Sequence, residues 1–179
     1  MHIIKHFNTI TKHRLLVLRY CFKCGLIKQG LCHDLSKYSF VEFFNGAKYY
    51  QGTYSPNHNE RLDKGYSEAW LHHKGRNKHH SEYWVEINPQ THKYEPVPMP
   101  IKYVIESVCD RIAASVIYNK KKYTKDIPLN YFYKELAFLP MHENTKALME
   151  ELLIYYRDHT DKEAFKYFKN IRKKKLYCC

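Results

Sequence analysis

No apolar run in the 179-residue chain approaches the roughly 20 residues that span a bilayer, so a transmembrane helix is not expected. The opening residues, MHIIKHFNTITKH, interleave polar with apolar side chains and lack the h-region of a secretory signal. Convincing strand alternation is missing as well; YWVEI at 83–87 comes nearest and is short. There is no internal repeat and no low-complexity segment. Cysteine occurs six times, at 21, 24, 32, 109, 178 and 179, yet Cys21-Phe-Lys-Cys24 has no second pair of the kind a structural zinc wants. Without an export signal, reduced thiols are expected rather than a disulfide framework, with Cys32 and Cys109 standing alone and Cys178-Cys179 exposed. These absences predict a soluble, cytoplasmic protein with no membrane partner.

What is present is a globular balance, 44% hydrophobic against 27% charged, which excludes a disordered chain. Seventeen tyrosines supply amphipathic rings for the edges of a core. The formal net charge of +12 favours anionic partners, from small phosphate compounds to nucleic acid. That excess is spread along the chain. Its densest run, KNIRKKK at 169–175, reads as the cationic end of a helix.

Apolar residues at 3, 7, 10, 16, 17, 20, 21 and 24 recur at near-helical spacing, and Gly25 supplies a stop. LIKQGLC adds a short helical turn before His33. Ser39 with Glu42 has the capping-box pattern and opens a helix over FVEFFNGAKYY. QGTYSPNHNERLDKG (51–65) reads as a surface loop, and INPQTHKYEPVPMP (87–100) as irregular. A helix is predicted over 67–80, another over 101–118 behind Pro100, and further helices around 127–138, 141–157 and 161–175. The expected fold is all-α, a single domain over 1–179.

The chemistry-bearing residues are spread along these helices. His33-Asp34 is an imidazole beside a carboxylate, both ligands for divalent metals. Upstream lie His6 and His13, seven apart and so on one helix face. Downstream lie His72, His73, His79 and His80. On a single helix over 67–80, His73 and His80 would share one face and His72 and His79 another, so only one pair could address a metal. Asp110 follows, beside the apolar stripe of its helix, where a carboxylate is costly unless paired, hydrogen-bonded or metal-bound. Glu106, one turn earlier, is placed to orient a ligand histidine. The plainer alternative pairs Asp110 with Arg111 or Lys102 at the surface.

The order His, His-Asp, further histidines, Asp resembles the HD-domain superfamily of metal-dependent phosphohydrolases. HDLSK (33–37) resembles the HD-x-x-K helix end of the cyclic-dinucleotide phosphodiesterase branch, with Lys37 at its lysine. HHSEYW (79–84) is similar to that branch's paired histidines, and VCDRIAAS (108–115) to its final aspartate helix. The chain is also similar to a group of small bacterial and phage proteins with HDLSK and N-x-H-H motifs. The likeness covers 6–116 as an HD-like core, with 119–179 as C-terminal helices packing on it. The Gly-Tyr-Pro signature is absent, so cyclic-dinucleotide hydrolysis is not implied.

The resemblance implies one or two divalent transition metal ions (Mn, Fe, Co, Ni or Zn). Their ligands would come from His13, His33, Asp34, His73, His79, His80 and Asp110, with His6 the alternative first ligand and Asp34 bridging a dinuclear site. A metal-activated water would then attack a nucleotide or other small phosphate ester. Catalytic roles would fall to Asp34, Lys37 and Glu82, and phosphate binding to Lys37, Arg76 and Lys78. Competing expectations are an iron-dependent oxygenase of the same superfamily, a non-catalytic basic nucleic-acid-binding protein and, more remotely, a His-Asn-His nuclease.

Overall fold

The 3.6-residue periodicity at the start of the chain forms α1 (Ile3–Lys23), with Gly25 in the left-handed conformation at φ 74° closing it. A computed structural model describes residues 1–173. Residues 174–179, with Cys178-Cys179 and the last of the basic run, lie outside the described residues. After α1 come α2 (Ile27–Cys32), a 3-10 turn (Leu35–Tyr38), α3 (Phe40–Lys48), α4 (Pro56–Lys64) and α5 (Glu68–Lys74). A two-stranded antiparallel hairpin follows, β1 (Val85–Ile87) on β2 (Tyr94–Pro96), with Val85 opposite Pro96. The rest is α6 (Ile101–Asn119), α7 (Asp126–Glu135), α8 (Glu143–Asp158) and α9 (Asp161–Lys173). The fold is all-α, and among the described residues no helix is long and apolar enough to cross a membrane.

Helix α6 is the axis of the core. Val104, Ile105, Val108, Cys109, Ile112 and Ala113 are fully buried along it, and α1, α2, α7, α8 and α9 all pack against it. Leu152, Leu153 and Tyr156 of α8 and Phe165 and Phe168 of α9 complete the interior. Each large apolar side chain withdrawn from water contributes about 1.5–3 kcal/mol, so this shared interior is what holds α1 and α6 side by side.

Several expectations are corrected. The stretch 51–65 is not merely a loop: Pro56 occupies the first turn of α4 and Gly65 its left-handed C-cap, so the residues read as breakers punctuate a helix. Within it Glu60 is buried, accepting from Ser67 Oγ at 2.6 Å and from the backbone N–H groups of Glu68 and Ala69 at the start of α5. The helix expected over 67–80 ends at Lys74, and 75–80 is a turn. Residues 85–87 and 94–96 pair where no strand and an irregular stretch were expected; three residues per strand is too short for a visible alternation. Cys109 does not stand alone, since its Sγ lies 3.9 Å from Cys24 Sγ in the core. Cys21 and Cys24 are buried thiols, as read.

The capping box at Ser39 is half formed. Ser39 Oγ accepts from Glu42 N–H at 3.4 Å, but the Ser39 N–H donates to the Ser36 carbonyl, which leaves the Glu42 carboxylate free for other partners. One turn later, Gly46 allows α3 to approach α1 closely. A Cβ there would collide with the His6 ring, which is itself held against Phe43 and Tyr50. Gly46→Ala should therefore lower the melting temperature by a few degrees. Overpacking costs roughly 1–3 kcal/mol, more than the roughly 1 kcal/mol an alanine gains over glycine inside a helix. A differential scanning calorimetry trace with an unchanged or raised midpoint would show that His6 has room to move.

Candidate metal centre

The site is built on a backbone reversal. After α2, His33 is extended (φ −53°, ψ 126°) and Asp34 is left-handed (φ 53°, ψ 26°). Aspartate tolerates that region better than most residues, at a cost of about 1–2 kcal/mol. Arg14 of α1 fixes the turn, donating Nε to the His33 carbonyl at 2.7 Å and Nη2 to the Leu31 carbonyl at 3.2 Å. The result is a fully buried His33-Asp34 pair facing α1, α6 and the segment after α5.

The two oxygens of Asp34 face two sets of ligands. Oδ2 lies 3.4 Å from His33 Nε2 and 3.8 Å from His13 Nε2, and His13 Nε2 is 2.8 Å from Asp110 Oδ1. Oδ1 lies 3.3 Å from His73 Nε2 and 3.5 Å from His79 Nε2, with His80 Nε2 2.9 Å from His73 Nε2. Three groups with ligand atoms close enough for one ion result among the described residues: two share Asp34, His13/His33/Asp34/Asp110 and Asp34/His73/His79/His80, and the third is His33/His79/Glu106. These buried groups can hold a metal ion.

The state of the ligand atoms supports that fit. His13 Nε2, His33 Nε2, His79 Nε2 and both Asp34 oxygens are buried without a hydrogen-bond partner. Buried polar atoms are normally satisfied, because leaving one unmet costs about 1–3 kcal/mol and more for a charged group. Five such atoms at one point match the donor set of a divalent ion.

The opposite edges of three of these histidines, His33, His73 and His79, meet carboxylates. His33 Nδ1–H donates to Glu106 Oε1 at 2.9 Å, and His79 Nδ1 lies 3.3 Å from the same oxygen. His73 Nδ1 bonds Glu42 Oε2 at 2.7 Å, and His72 Nδ1 bonds Glu42 Oε1 at 2.6 Å. A carboxylate accepting at Nδ1 fixes the ring and leaves Nε2 as the free donor, the arrangement ligand histidines use. Asn77 and Ser36 brace His73 from the side, and Trp70 stacks on it.

Charge follows the geometry. Burial alone would lower His33, but Asp34, Asp110 and Glu106 overcome it and push the imidazole up to about 10. His73 is raised for the same reason, against its burial, by Asp34 and Glu42. His80 is pushed well down by burial and by His79 and His73, and His13 is lowered by burial. Asp34 and Asp110 are held well below the usual carboxylate range by the histidines around them, despite burial.

The structure thus brings together His13, His33, Asp34, His73, His79, His80 and Asp110, with Lys37 Nζ 2.6 Å from Asp34 Oδ2. It corrects the expectation that one face of a 67–80 helix excludes the other. Because α5 stops at Lys74, His73 from the helix and His79 and His80 from the turn all converge. His72 turns to Glu42. His6 packs among aromatic rings and is in none of the groups, so of the two it is His13 that stands beside Asp34. Arg111 pairs with Glu135, leaving Asp110 to the histidines. Arg76 and Lys78 are exposed, on the His72 carbonyl and over the Tyr83 ring, and half-buried Glu82 accepts from Ser81; none of the three is brought to the cluster. Glu42 was missed, although a carboxylate inside the apolar run FVEFF carries the same signal that marked Asp110.

Fold and site define an all-α protein with a buried, carboxylate-centred histidine cluster able to hold a divalent metal. Residues 2–154 match a family of unknown function, DUF5662, and the chain belongs to that family. No curated protein and no solved structure matches it. The matched span ends within α8 and contains every residue of the cluster.

The pKa pattern sets a pH optimum for the protein with divalent ions chelated. The depressed His13 and His80 cost stability as pH falls below 6.5, and the depressed Asp34 and Asp110 add to the loss at lower pH. His33, raised to about 10, contributes stability that is full below 6.5 and is lost as pH climbs towards 10. The urea midpoint should therefore peak near neutrality and decline on both sides. A midpoint that keeps rising to pH 9 would contradict the charged His33.

Proposed function

We propose that this protein is a metal-dependent phosphohydrolase acting on a nucleotide or other small phosphate ester. The observation that carries the reading is Asp34, whose two oxygens each face a separate set of unpartnered ligand atoms. The motif order shared with HD-domain phosphohydrolases supplies the reaction class. The donors are imidazole and carboxylate, which suit Mn, Fe, Co, Ni or Zn. Bound there, such an ion supplies an acidified water as nucleophile and charge to polarise a phosphoryl oxygen.

The chain's own residues do the rest. His13, His33 and Asp110 hold one side of Asp34, and His73, His79 and His80 the other. Glu106 and Glu42 keep the rings oriented so that no ligand must reorganise during turnover. Asp110, His80 and Lys37 are the partly exposed members, so substrate enters on their side. Lys37 meets the phosphoryl charge there, and Arg76 and Lys78, on the same turn as His79, serve outlying anionic groups from the surface.

Elemental mass spectrometry on untagged protein, beside a His33→Ala/Asp34→Ala variant, tests this reading. One or two equivalents of a transition metal should be present in the wild type and absent from the folded variant. The same samples should release phosphate from p-nitrophenyl phosphate or nucleotides only when loaded. Wild-type protein that takes up no metal even after reloading would overturn the proposal.

A further inference from the structure

Lys37 is placed asymmetrically. Its Nζ lies 2.6 Å from Asp34 Oδ2, the oxygen that also faces His13 and His33, and not on the Oδ1 side that faces His73 and His79. The two arms therefore differ. One has two imidazoles, two carboxylates and the Lys37 ammonium. The other has three imidazoles and the shared carboxylate, with no lysine.

The approach of Lys37 is an ion pair that leaves Asp34 Oδ2 without hydrogen-bond geometry, so the contact satisfies charge and not direction. The lysine side chain is 31% exposed and sits on a short 3-10 turn. A cation that neutralises a buried carboxylate but can withdraw is the arrangement of a competitor for that carboxylate. An ammonium and a divalent ion on one oxygen repel each other, and a buried setting screens that repulsion poorly.

We infer that Lys37 is a built-in counter-cation competing with a divalent ion for Asp34 Oδ2, so that the two arms fill in order. The His73/His79/His80 arm fills first. The His13/His33/Asp110 arm fills when a tetrahedral oxyanion draws Lys37 away. This rests on the metal-centre reading above and adds its regulation. A phosphoryl dianion has the needed chemistry, since it offers the ammonium charge-assisted hydrogen bonds in exchange for the Asp34 contact. By linkage, anion and second metal then strengthen each other's binding, which ties full assembly of the centre to arrival of substrate.

Calorimetric titration of chelator-stripped, full-length protein with Co²⁺ tests this, with visible absorption reporting the cobalt environment. The wild type should bind one equivalent tightly and a second at least about tenfold more weakly. Lys37→Met should tighten the second step by a similar factor and leave the first unchanged. Sulfate, a tetrahedral dianion that is not hydrolysed, should tighten the second step in wild type and not in Lys37→Met. If Lys37→Met fails to fold, the sulfate titration of wild type decides alone. Two steps of equal affinity, unmoved by sulfate or by Lys37→Met, would overturn the gate and leave the metal centre standing. A second step weakened in Lys37→Met would make Lys37 a supporting ion pair only and overturn it equally. No cobalt bound at all would remove both the gate and the centre beneath it.

Discussion

A single buried carboxylate governs this structure. Asp34 is withdrawn from water and has no hydrogen-bond partner at either oxygen, a condition costing several kcal/mol unless cations surround it. The surroundings answer that cost from every direction. The neighbouring His33 and, from α5, His73 are held charged against it, and the Lys37 ammonium closes a further side. The left-handed backbone at Asp34 itself belongs to the same constraint, because it aims the carboxylate inward.

Behind the ligands stands a second layer of acid. Glu106 touches His33 and His79 through one oxygen, and these two histidines face different oxygens of Asp34. Glu42 plays the corresponding part for His73 and reaches His72 as well. Glu106 thus couples the two arms independently of Asp34. The apolar packing of α6 against α1 and α8 supplies the rigidity that lets these charges be held close together.

Much of this was legible in the sequence where a helix is long. α1 and α6 show their apolar stripes, and Asp110 stands out because a carboxylate beside such a stripe needs a reason. His33-Asp34 and the histidine-rich 72–80 stretch were visible as composition. Their convergence was not, because it depends on α5 ending at Lys74, and periodicity cannot show a turn that begins at Gly75. Glu42 was hidden by a competing local explanation, the capping box, of which only the Ser39 half exists. α4 was masked by Pro56 and Gly65, residues that bound helices as often as they break them. His6 and His13, seven apart, share one face of α1 in the sequence; what separates them is Gly46, whose missing side chain admits the His6 ring into an aromatic contact.

The central claim is that Asp34 bridges two cation positions, and anomalous X-ray scattering from crystals grown with Mn²⁺ or Zn²⁺ tests it most directly. The account predicts two peaks flanking the Asp34 carboxylate, about 3.5–4 Å apart, one among His13, His33 and Asp110 and the other among His73, His79 and His80. Peaks confined to surface carboxylates, or density showing Asp34 hydrogen-bonded to water alone at saturating metal, would contradict it.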